Sequence, residues 1–283
     1  MPRLSVVITA DTGRVSWLRP RPSFTTDLPP PLKWVGGKRW QLPHIQAFWH
    51  KHRSRRLVEP FCGGMAITLG LSPERAIVND INPHLINFYQ WIQRGLVIDI
   101  RLRNNRLLYN RYRQRFNDLV SAGGTDSKEA ASLFYYLNRT GYNGLCRFNR
   151  KGGFNVPFGT HKSISYKIDF SQYKDAFKLY RFVNVDFEHL TISADDFIYA
   201  DPPYDVEFTQ YAPNGFNWDD QVRTARWLAK HPGPVAISNQ ATSRIVDLYK
   251  SLGFVLYFVQ APRMISCNGD RRRAREVLAV KHM

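Results

Sequence analysis

The residues best suited to chemistry in this chain form a short run, Asp201-Pro202-Pro203-Tyr204, directly after an apolar stretch. Residues 197–200 predict a short buried strand, so the carboxylate stands at a strand end. Each proline fixes φ and has no N–H to donate, so the turn is stiff and its carbonyls point in set directions. Asp201 and the Pro202 carbonyl could accept both N–H groups of an exocyclic amine on a planar base, while Tyr204 stacks on the ring. A plain turn after a strand is the alternative.

The composition favours a nucleic-acid partner. The 283 residues include 40 Lys+Arg against 23 Asp+Glu, a formal net charge of +17, and 43% of them are hydrophobic, enough to fill a sizeable core. We find no apolar run long enough to cross a bilayer and no signal-peptide pattern, so we expect a cytoplasmic protein without a membrane partner. Aromatic residues make up 14% and are interleaved with basic ones, as base-stacking surfaces require.

The cysteines argue against several other chemistries. Cys62, Cys146 and Cys267 are odd in number, far apart and without a CxxC pair. This pattern indicates a reducing compartment and disfavours a disulfide framework or a zinc site. None of the three follows a proline, which is the context expected of a cytosine-C5 nucleophile.

Glycine-containing segments early in the chain are suited to holding a nucleotide. Residues 56–64 have the layout of a strand and a Gly-rich turn before a helix over residues 65–71, and residues 76–80 form a second strand ending in an acid. Glycines let the backbone approach a ligand, and such an acid accepts from ribose hydroxyls. GxGxxG is absent, so an adenosyl group without a pyrophosphate fits better than a dinucleotide. Residues 33–38, where two glycines are flanked by an indole and cations, are by themselves a weak ligand-loop signal.

In this order the segments resemble the motifs of the Dam family of DNA adenine-N6 methyltransferases. Residues 33–38 match its N-terminal cofactor motif, residues 59–64 its Gly-rich loop, Asp80 the acid after the second strand and residues 201–204 the catalytic tetrapeptide. The likeness runs from about residue 33 to residue 280. Many members read Phe-x-Gly-x-Gly in the loop where this chain has Phe61-Cys62-Gly63-Gly64-Met65, which is similar to a phage-type branch, and we interpret it as a variant of the same site.

The resemblance implies an α/β fold: a doubly wound, Rossmann-like core that uses S-adenosylmethionine and releases S-adenosylhomocysteine, with an inserted, mostly helical recognition domain and a β-hairpin. In this fold the acid and aromatic ending the strand predicted over residues 181–187 commonly meet the adenine of the cofactor, and a plain strand-end cap is the alternative. The implied catalytic residues are Asp201, Pro202, Pro203 and Tyr204. The implied cofactor-binding residues are Trp34, Gly36, Gly37, Lys38, Glu59, Phe61, Gly63, Gly64, Asp80, Asp186, Phe187 and Asp201.

Residues 133–159 resemble the DNA-recognition hairpin of the same family and are the most specific match in the chain. The first part is dense in amide, aromatic and arginine groups, unlike an ordinary core, and residues 151–153 predict a tight hairpin turn. By this likeness Tyr142 and Asn143 enter the duplex or fill the space left by the flipped base.

The same likeness implies which side chains read sequence. Leu145, Arg147 and Pro157 would read base edges in GATC, and Lys33 its outer guanine. The family often carries Arg-Tyr-Lys where this chain has Thr160-His161-Lys162, which leaves the strictness at an outer base pair open. The implied DNA-binding residues are Lys33, Arg139, Tyr142, Asn143, Leu145, Arg147, Asn155, Pro157, His161 and Lys162.

The predicted organisation has three parts. A basic, proline-rich extension covers residues 1–31, and either adds contacts to the DNA backbone or is dispensable. The catalytic domain covers residues 32–81 and 165–283, and the recognition domain covers residues 82–164. The loops at residues 206–218 and 264–273 are expected to approach DNA, the first by closing over it and the second through its phosphates.

We therefore expect a site-specific DNA adenine-N6 methyltransferase that flips its target adenine, in GATC, and transfers the methyl group directly, without a metal or a covalent enzyme intermediate. It would act as a monomer on double-stranded DNA in a bacterial cell, encoded by host or phage, with a partner restriction enzyme left open. Two alternatives remain: methylation of another amino target, on cytosine N4 or RNA adenine, and a relative that binds DNA but has lost catalysis.

Overall fold

The computed structural model describes residues 28–205, 216–261 and 274–283 together with two short strands near the start of the chain. These strands, β1 (Ser5–Ile8) and β2 (Val15–Leu18), pair antiparallel as a hairpin that the expected extended leader did not include. Most of the first predicted DNA-facing loop, residues 206–215, and all of the second, residues 264–273, lie outside the described residues.

Seven further strands form one sheet. They are β3 (Leu57–Glu59), β4 (Ala76–Asn79), β5 (Tyr180–Val183), β6 (Phe197–Ala200), β7 (Val235–Gln240), β8 (Val255–Ala261) and β9 (Ala274–Lys281). Their spatial order is β5-β4-β3-β6-β7-β9-β8. Strands β3 to β7 run parallel, and β9 is antiparallel to both β7 and β8.

The order of the strands reverses between β3 and β6. From β3 the chain moves to one edge through β4 and β5, then returns to β6 beside β3 and proceeds towards the other edge. This arrangement confirms the doubly wound α/β core. In such sheets ligands bind outside the carboxyl ends of the strands at the reversal, which is where Asp201 follows β6.

Helices cover both faces of the sheet. Within the described ranges they are α1 (Leu42–His52), α2 (Ala66–Leu71), α3 (Pro83–Gln93), α4 (Arg106–Ser121), α5 (Lys128–Thr140), α6 (Trp218–Lys230) and α7 (Ser243–Ser251). Successive strand residues point to opposite faces, so Leu57 joins the hydrophobic cluster of α1 to α5 and Val58 that of α6 and α7. None of these helices is long and apolar enough to span a membrane.

Helices α4 and α5 pack with α3 around an aromatic core that is continuous with one face of the sheet. Helix α4 ends at Ser121 and α5 begins at Lys128, and the short connection between them contains Gly123 and Gly124. Tyr136 and Asn138 are fully buried on α5. The start of the stretch that we assigned to DNA contact is therefore ordinary core, and that part of the prediction was wrong.

Two further predictions are corrected. The predicted strand over residues 181–187 ends at Val183, because the side chain of Asn79 takes over both the N–H and the carbonyl of Val185, at 3.1 Å each. The predicted hairpin has the expected turn, with Gly152 at φ +78°, but its arms pair only through isolated bridges. Pro157 has no N–H to donate, and Asn149 Oδ1 accepts from the N–H groups of the turn, so a regular ladder does not form.

Candidate active site

Asp201 is a half-buried acid at the carboxyl end of β6, with 20% of its side chain exposed. The ammonium of Lys38 lies 3.2 Å from its Oδ1 and donates to the carbonyl of Gly36 at 3.0 Å. Burial raises the pKa of Asp201 to about 6, against the lowering effect of Lys38. Near pH 7 the carboxylate is therefore mainly ionised. Among the described residues, Oδ1 receives no hydrogen bond of acceptable geometry, which leaves it able to accept one from a ligand.

The turn after Asp201 is braced from three elements. Gln221 of α6 donates to the carbonyl of Pro203 at 2.7 Å, and the N–H of Asp205 donates to Asn239 Oδ1 at the end of β7 at 3.3 Å. Arg244 of α7 donates through Nε to the carboxylate of Asp205 at 2.6 Å. No donor within the described part of the chain reaches the Pro202 carbonyl, which leaves it available as the second acceptor that we predict beside Asp201.

Tyr204 completes the turn and is held on two sides. Its hydroxyl donates to Glu276 Oε2 on β9 at 2.6 Å, and Lys38 Nζ lies 4.3 Å from the centroid of its ring. Sequence reasoning did not single out Glu276, Gln221 or Asn239. The available signal was a polar residue placed within an otherwise apolar strand or helix face.

The Gly-rich loop after β3 is fixed to the end of β4. The N–H of Gly63 donates to Asp80 Oδ2 at 3.0 Å, and the N–H of Cys62 donates to the carbonyl of Asn79 at 2.8 Å. Burial raises the pKa of Asp80, while hydrogen bonds from the N–H groups of Asn82 and Gly63 oppose that rise. Asp80 therefore holds the loop, a structural role that accompanies its predicted contact with ribose.

Trp34 packs directly on this loop. Gly63 adopts φ +43°, and a Cβ built there would lie 2.5 Å from Trp34 Nε1. At Gly64 a Cβ would lie 2.8 Å from the Cβ of Trp34. The two glycines are thus needed for the indole as well as for a ligand. Gly36 and Gly37, in the same segment as Trp34, are exposed.

Glu59 at the end of β3 is a protonated acid at neutral pH. It is 2% exposed and accepts a hydrogen bond from Thr68 Oγ1. Burial raises its pKa to about 8, and the nearby charges of Asp201 and Asp80 add to that rise. These three carboxyl groups surround the ends of adjacent strands, an environment that suits a cationic ligand.

The pair predicted to meet adenine lies just beyond β5, where Asp186 caps a short 3-10 turn that begins at Phe187. Arg223 donates to both carboxylate oxygens of Asp186, at 2.8 and 3.0 Å, and these bonds lower the pKa of Asp186. The ring centroid of Phe187 lies 5.4 Å from that of Phe61 in the Gly-rich loop. The ring centroid of Phe61 in turn lies 5.7 Å from that of Phe216. The structure therefore brings the predicted aromatic residues together, and Arg223 is an unanticipated partner of Asp186.

These residues fit S-adenosylmethionine, whose sulfonium and ammonium groups are positively charged. The carboxyl groups of Asp80 and Asp201 supply acceptors at the strand ends, and the ionised Asp201 supplies negative charge there, while the neutral Glu59 supplies a further hydrogen-bonding group. Phe61 and Phe187 supply an aromatic surface of the kind on which an adenine ring stacks.

The predicted DNA-facing residues gather around the end of α5 and the turn that follows it. Lys33 donates through its backbone N–H to Asn138 Oδ1 at 2.9 Å and through Nζ to the carbonyl of Arg139 at 3.3 Å. Burial lowers the pKa of Lys33, and the charge of Arg139 lowers it further. Arg139 itself donates to the carbonyl of Ser165 at 2.9 Å. Residues 33–38 thus connect this surface to the catalytic turn.

The two arms of the predicted recognition hairpin present side chains of different accessibility. Tyr142 is 48% exposed, and its N–H donates to the carbonyl of Pro157 at 2.9 Å. Asn143 is exposed with φ +52°, a conformation that asparagine tolerates better than most residues. Arg147 is exposed and donates to Asn155 Oδ1 at 2.8 Å, an internal contact that base reading would have to replace. Leu145 is half-buried against the core.

The corner at residues 160–162 departs from the family pattern that we noted. The ring of His161 lies over the end of α5, with Nε2 3.1 Å from the carbonyl of Gly141. Its carbonyl accepts from Asn104 Nδ2 at 2.7 Å, while Lys162 is exposed.

Comparison with known proteins agrees with this geometry. Residues 34–265 match the family described as D12 class N6 adenine-specific DNA methyltransferase. The chain is 37% identical over 270 residues to a DNA adenine methylase of Vibrio cholerae, covering 88% of this chain and 94% of that protein. It is 34% identical over 264 residues to the Retron Ec67 DNA adenine methylase of Escherichia coli, covering 88% and 90%.

A third relative comes from an archaeon. The type II methyltransferase M.MjaIII of Methanocaldococcus jannaschii is 32% identical over 283 residues, covering 87% of this chain and 96% of that protein. With the strand-end acid, the stiff proline turn and the Gly-rich loop at one edge of the sheet, these matches show that the chain belongs to the D12 class of N6 adenine-specific DNA methyltransferases.

Proposed function

We propose that the enzyme methylates adenine N6 in GATC within double-stranded DNA, with the target base flipped out of the duplex into the pocket formed by residues 201–204. The observation that carries this proposal is the pair of acceptors at the end of β6. Asp201 is mainly ionised near neutral pH, and the neighbouring Pro202 carbonyl has no donor among the described residues.

In this proposal the turn orients the amine for attack. Asp201 and the Pro202 carbonyl accept the two N6–H groups, so the nitrogen lone pair is directed out of the hydrogen-bonded plane. Tyr204 stacks on the adenine, a contact worth about 1–3 kcal/mol per base. When bound, S-adenosylmethionine supplies the methyl group as an electrophilic sulfonium. A bond from N6 to carbon forms, the bond from sulfur to that carbon breaks, and N6 loses one proton, for which Asp201 is the adjacent acceptor.

The cofactor would lie across the carboxyl ends of β3 to β6. Asp80 and the loop that it holds would accept the ribose, and Phe61 and Phe187 would contact the adenine ring of the cofactor. Lys38 is placed to stabilise the ionised carboxylate of Asp201. Trp34 keeps the Gly-rich loop in position. We include Glu59 as a neutral hydrogen-bonding group, because burial keeps it protonated at neutral pH.

Sequence choice would come from the recognition segment over residues 82–164. Tyr142 and Asn143 are exposed in the turn that follows α5, as residues that enter a duplex must be. Arg147 can pair bidentately with a guanine once it leaves Asn155. Lys33 joins this surface to the catalytic segment and would read the outer guanine.

The test is incubation of the purified protein with methyl-labelled S-adenosylmethionine and unmethylated DNA. The DNA is then digested with nucleases that distinguish methylated from unmethylated GATC. We expect label in the DNA and protection at GATC. Label without that protection would contradict the GATC assignment and direct attention to Thr160 and His161, where the chain departs from the family pattern. Absence of label under any condition would contradict the activity itself.

A further inference from the structure

We propose that Glu276 is a positioning residue that fixes the ring of Tyr204 in the orientation needed to stack on the flipped base. This inference rests on the stacking role of Tyr204 in the proposed function. Glu276 lies on β9, 72 residues after Tyr204 in the chain. It belongs to no sequence motif that we identified.

The contact is short and held from a rigid element. The Tyr204 hydroxyl donates to Glu276 Oε2 at 2.6 Å, the length of a charge-assisted hydrogen bond. Glu276 is 7% exposed. Its backbone is paired on both sides, with Gln240 of β7 and Val259 of β8, so the sheet fixes the backbone position from which the acceptor extends.

Lys38 determines which side of the ring a base can use. Its Nζ lies 4.3 Å from the centroid of Tyr204 and 3.2 Å from Asp201, so one face of the ring is already occupied by a cation. The base must therefore stack on the opposite face. A ring that rotated away from Glu276 would present neither face in register with the acceptors of Asp201 and Pro202.

The charges around this contact are consistent with its persistence. Burial raises the pKa of Glu276, while Lys38 and the hydroxyl of Tyr204 oppose that rise. Burial raises the pKa of Tyr204 well above its ordinary value, so its hydroxyl keeps the proton that it donates. Loss of a hydrogen bond to a charged group corresponds to about a tenfold change in a rate or equilibrium constant.

The experiment compares Glu276→Ala, Glu276→Gln, Tyr204→Phe, Tyr204→Ala and the double variant Glu276→Ala/Tyr204→Phe with the wild type. Glu74→Ala is the matched control, because it removes an exposed glutamate just before β4. Glu74 lies at the amino end of this strand, whereas the site lies at the carboxyl ends of the strands. Three quantities are measured: kcat, KM for DNA, and the fluorescence of a duplex in which 2-aminopurine replaces the target adenine. Stacking of the flipped 2-aminopurine on Tyr204 quenches its emission, a signal that a general loss of stability does not produce.

We expect Glu276→Ala and Tyr204→Phe each to lower kcat by about tenfold and to reduce the quenching, because each removes the same hydrogen bond. The double variant should be no worse than either single one. Glu276→Gln should retain most of the wild-type kcat and quenching, since its amide oxygen still accepts from the hydroxyl. Thermal unfolding and calorimetric binding of S-adenosylmethionine show that each variant is folded, and Glu276→Gln keeps the test open if Glu276→Ala is not.

The outcomes separate this inference from the proposed function. If Tyr204→Ala retains wild-type kcat and quenching, the stacking role of Tyr204 itself is wrong. If Tyr204→Ala is impaired while Glu276→Ala and Tyr204→Phe match the wild type, the role of Glu276 is overturned and the proposed function stands. Additive losses in the double variant would also overturn it, because the two residues would then act independently.

Discussion

The carboxylate of Asp201 is close to its titration point under ordinary assay conditions. Burial raises its pKa to about 6, and the ammonium of Lys38 lies 3.2 Å away. Only the ionised form can accept both an amine hydrogen and, after transfer, a proton. In the mechanism that we propose, the pKa of this one residue therefore sets the lower pH limit of the reaction.

We expect the single-turnover rate of methyl transfer to be level above the pKa of Asp201 and to fall by about tenfold per pH unit below it. Rates measured from pH 5 to pH 8.5 should show this break near pH 6. In Lys38→Gln the break should move to higher pH, since Lys38 lowers the pKa of Asp201. A rate that stays constant down to pH 5, or a break that does not move in the variant, would contradict this role for Asp201.

Arg147 is the side chain from which we expect the clearest effect on sequence choice. Its replacement by alanine should cost about 1–3 kcal/mol of discrimination at one base pair, because a bidentate contact with guanine is lost. Competition with duplexes that differ at single base pairs measures this. Arg150→Ala, which removes an exposed arginine from the same segment, should weaken binding to all duplexes alike. Equal discrimination by the Arg147 variant and the wild type would refute the assignment.

At the scale of elements, the contact between Trp34 and the Gly-rich loop couples the N-terminal cofactor segment to the end of β3. Gly63→Ala should destabilise the fold by about 1–3 kcal/mol, since the new Cβ meets the indole and the backbone is left-handed. It should also weaken binding of S-adenosylmethionine, which calorimetry measures beside denaturant unfolding.

Gly123→Ala separates the two causes. Gly123 is also left-handed, at φ +74°, but a Cβ there would meet nothing within 4 Å. Gly123→Ala should lose only the stability that the left-handed backbone conformation costs an alanine. It should bind the cofactor normally. If both variants lose the same stability and both bind normally, the collision with Trp34 has no functional consequence.

The elements that position the site could be predicted from sequence where local pattern decides them. The helix predicted over residues 65–71 is observed as α2, Ala66–Leu71, and the acids at the ends of β4 and β6 were placed correctly. These features follow from apolar runs, prolines and glycines that are close together in the chain.

The features of the fold and the site that were not predicted depend on contacts between residues that are distant in the chain. β5 stops early because Asn79, 106 residues before Val185, binds its backbone. Glu276 reaches Tyr204 across 72 residues, and Trp34 meets Gly63 only after the fold brings them together. None of these partners has a local signal beyond a polar or aromatic residue in an unusual place.

At the scale of the whole molecule, Glu59 links stability to pH. Its folded pKa of about 8 lies above its ordinary value of 4.5, so its contribution to stability is complete below 4.5 and is lost as pH rises through 8. Glu59→Gln keeps an acceptor for Thr68 but cannot ionise. The free energy of unfolding of the variant should therefore gain on that of the wild type by about 3 kcal/mol between pH 6 and pH 9. Denaturant unfolding at several pH values measures the difference. A difference that is constant with pH would mean that Glu59 is ionised in the folded protein.

The family match covers most of the chain, and the acceptor pair at the end of β6 is the part of the structure on which the account depends. The most direct test is single-turnover transfer of labelled methyl to DNA by the wild type and by Asp201→Ala, with the product nucleoside identified by chromatography. Asp195→Ala is the control, because it removes a 92% exposed acid just before the same strand.

We predict N6-methyladenine as the product and a rate for Asp201→Ala at least about a hundredfold below that of the wild type, with the affinity for S-adenosylmethionine retained. Asp195→Ala should match the wild type. An Asp201→Ala enzyme that transfers methyl groups at the wild-type rate would contradict the central claim.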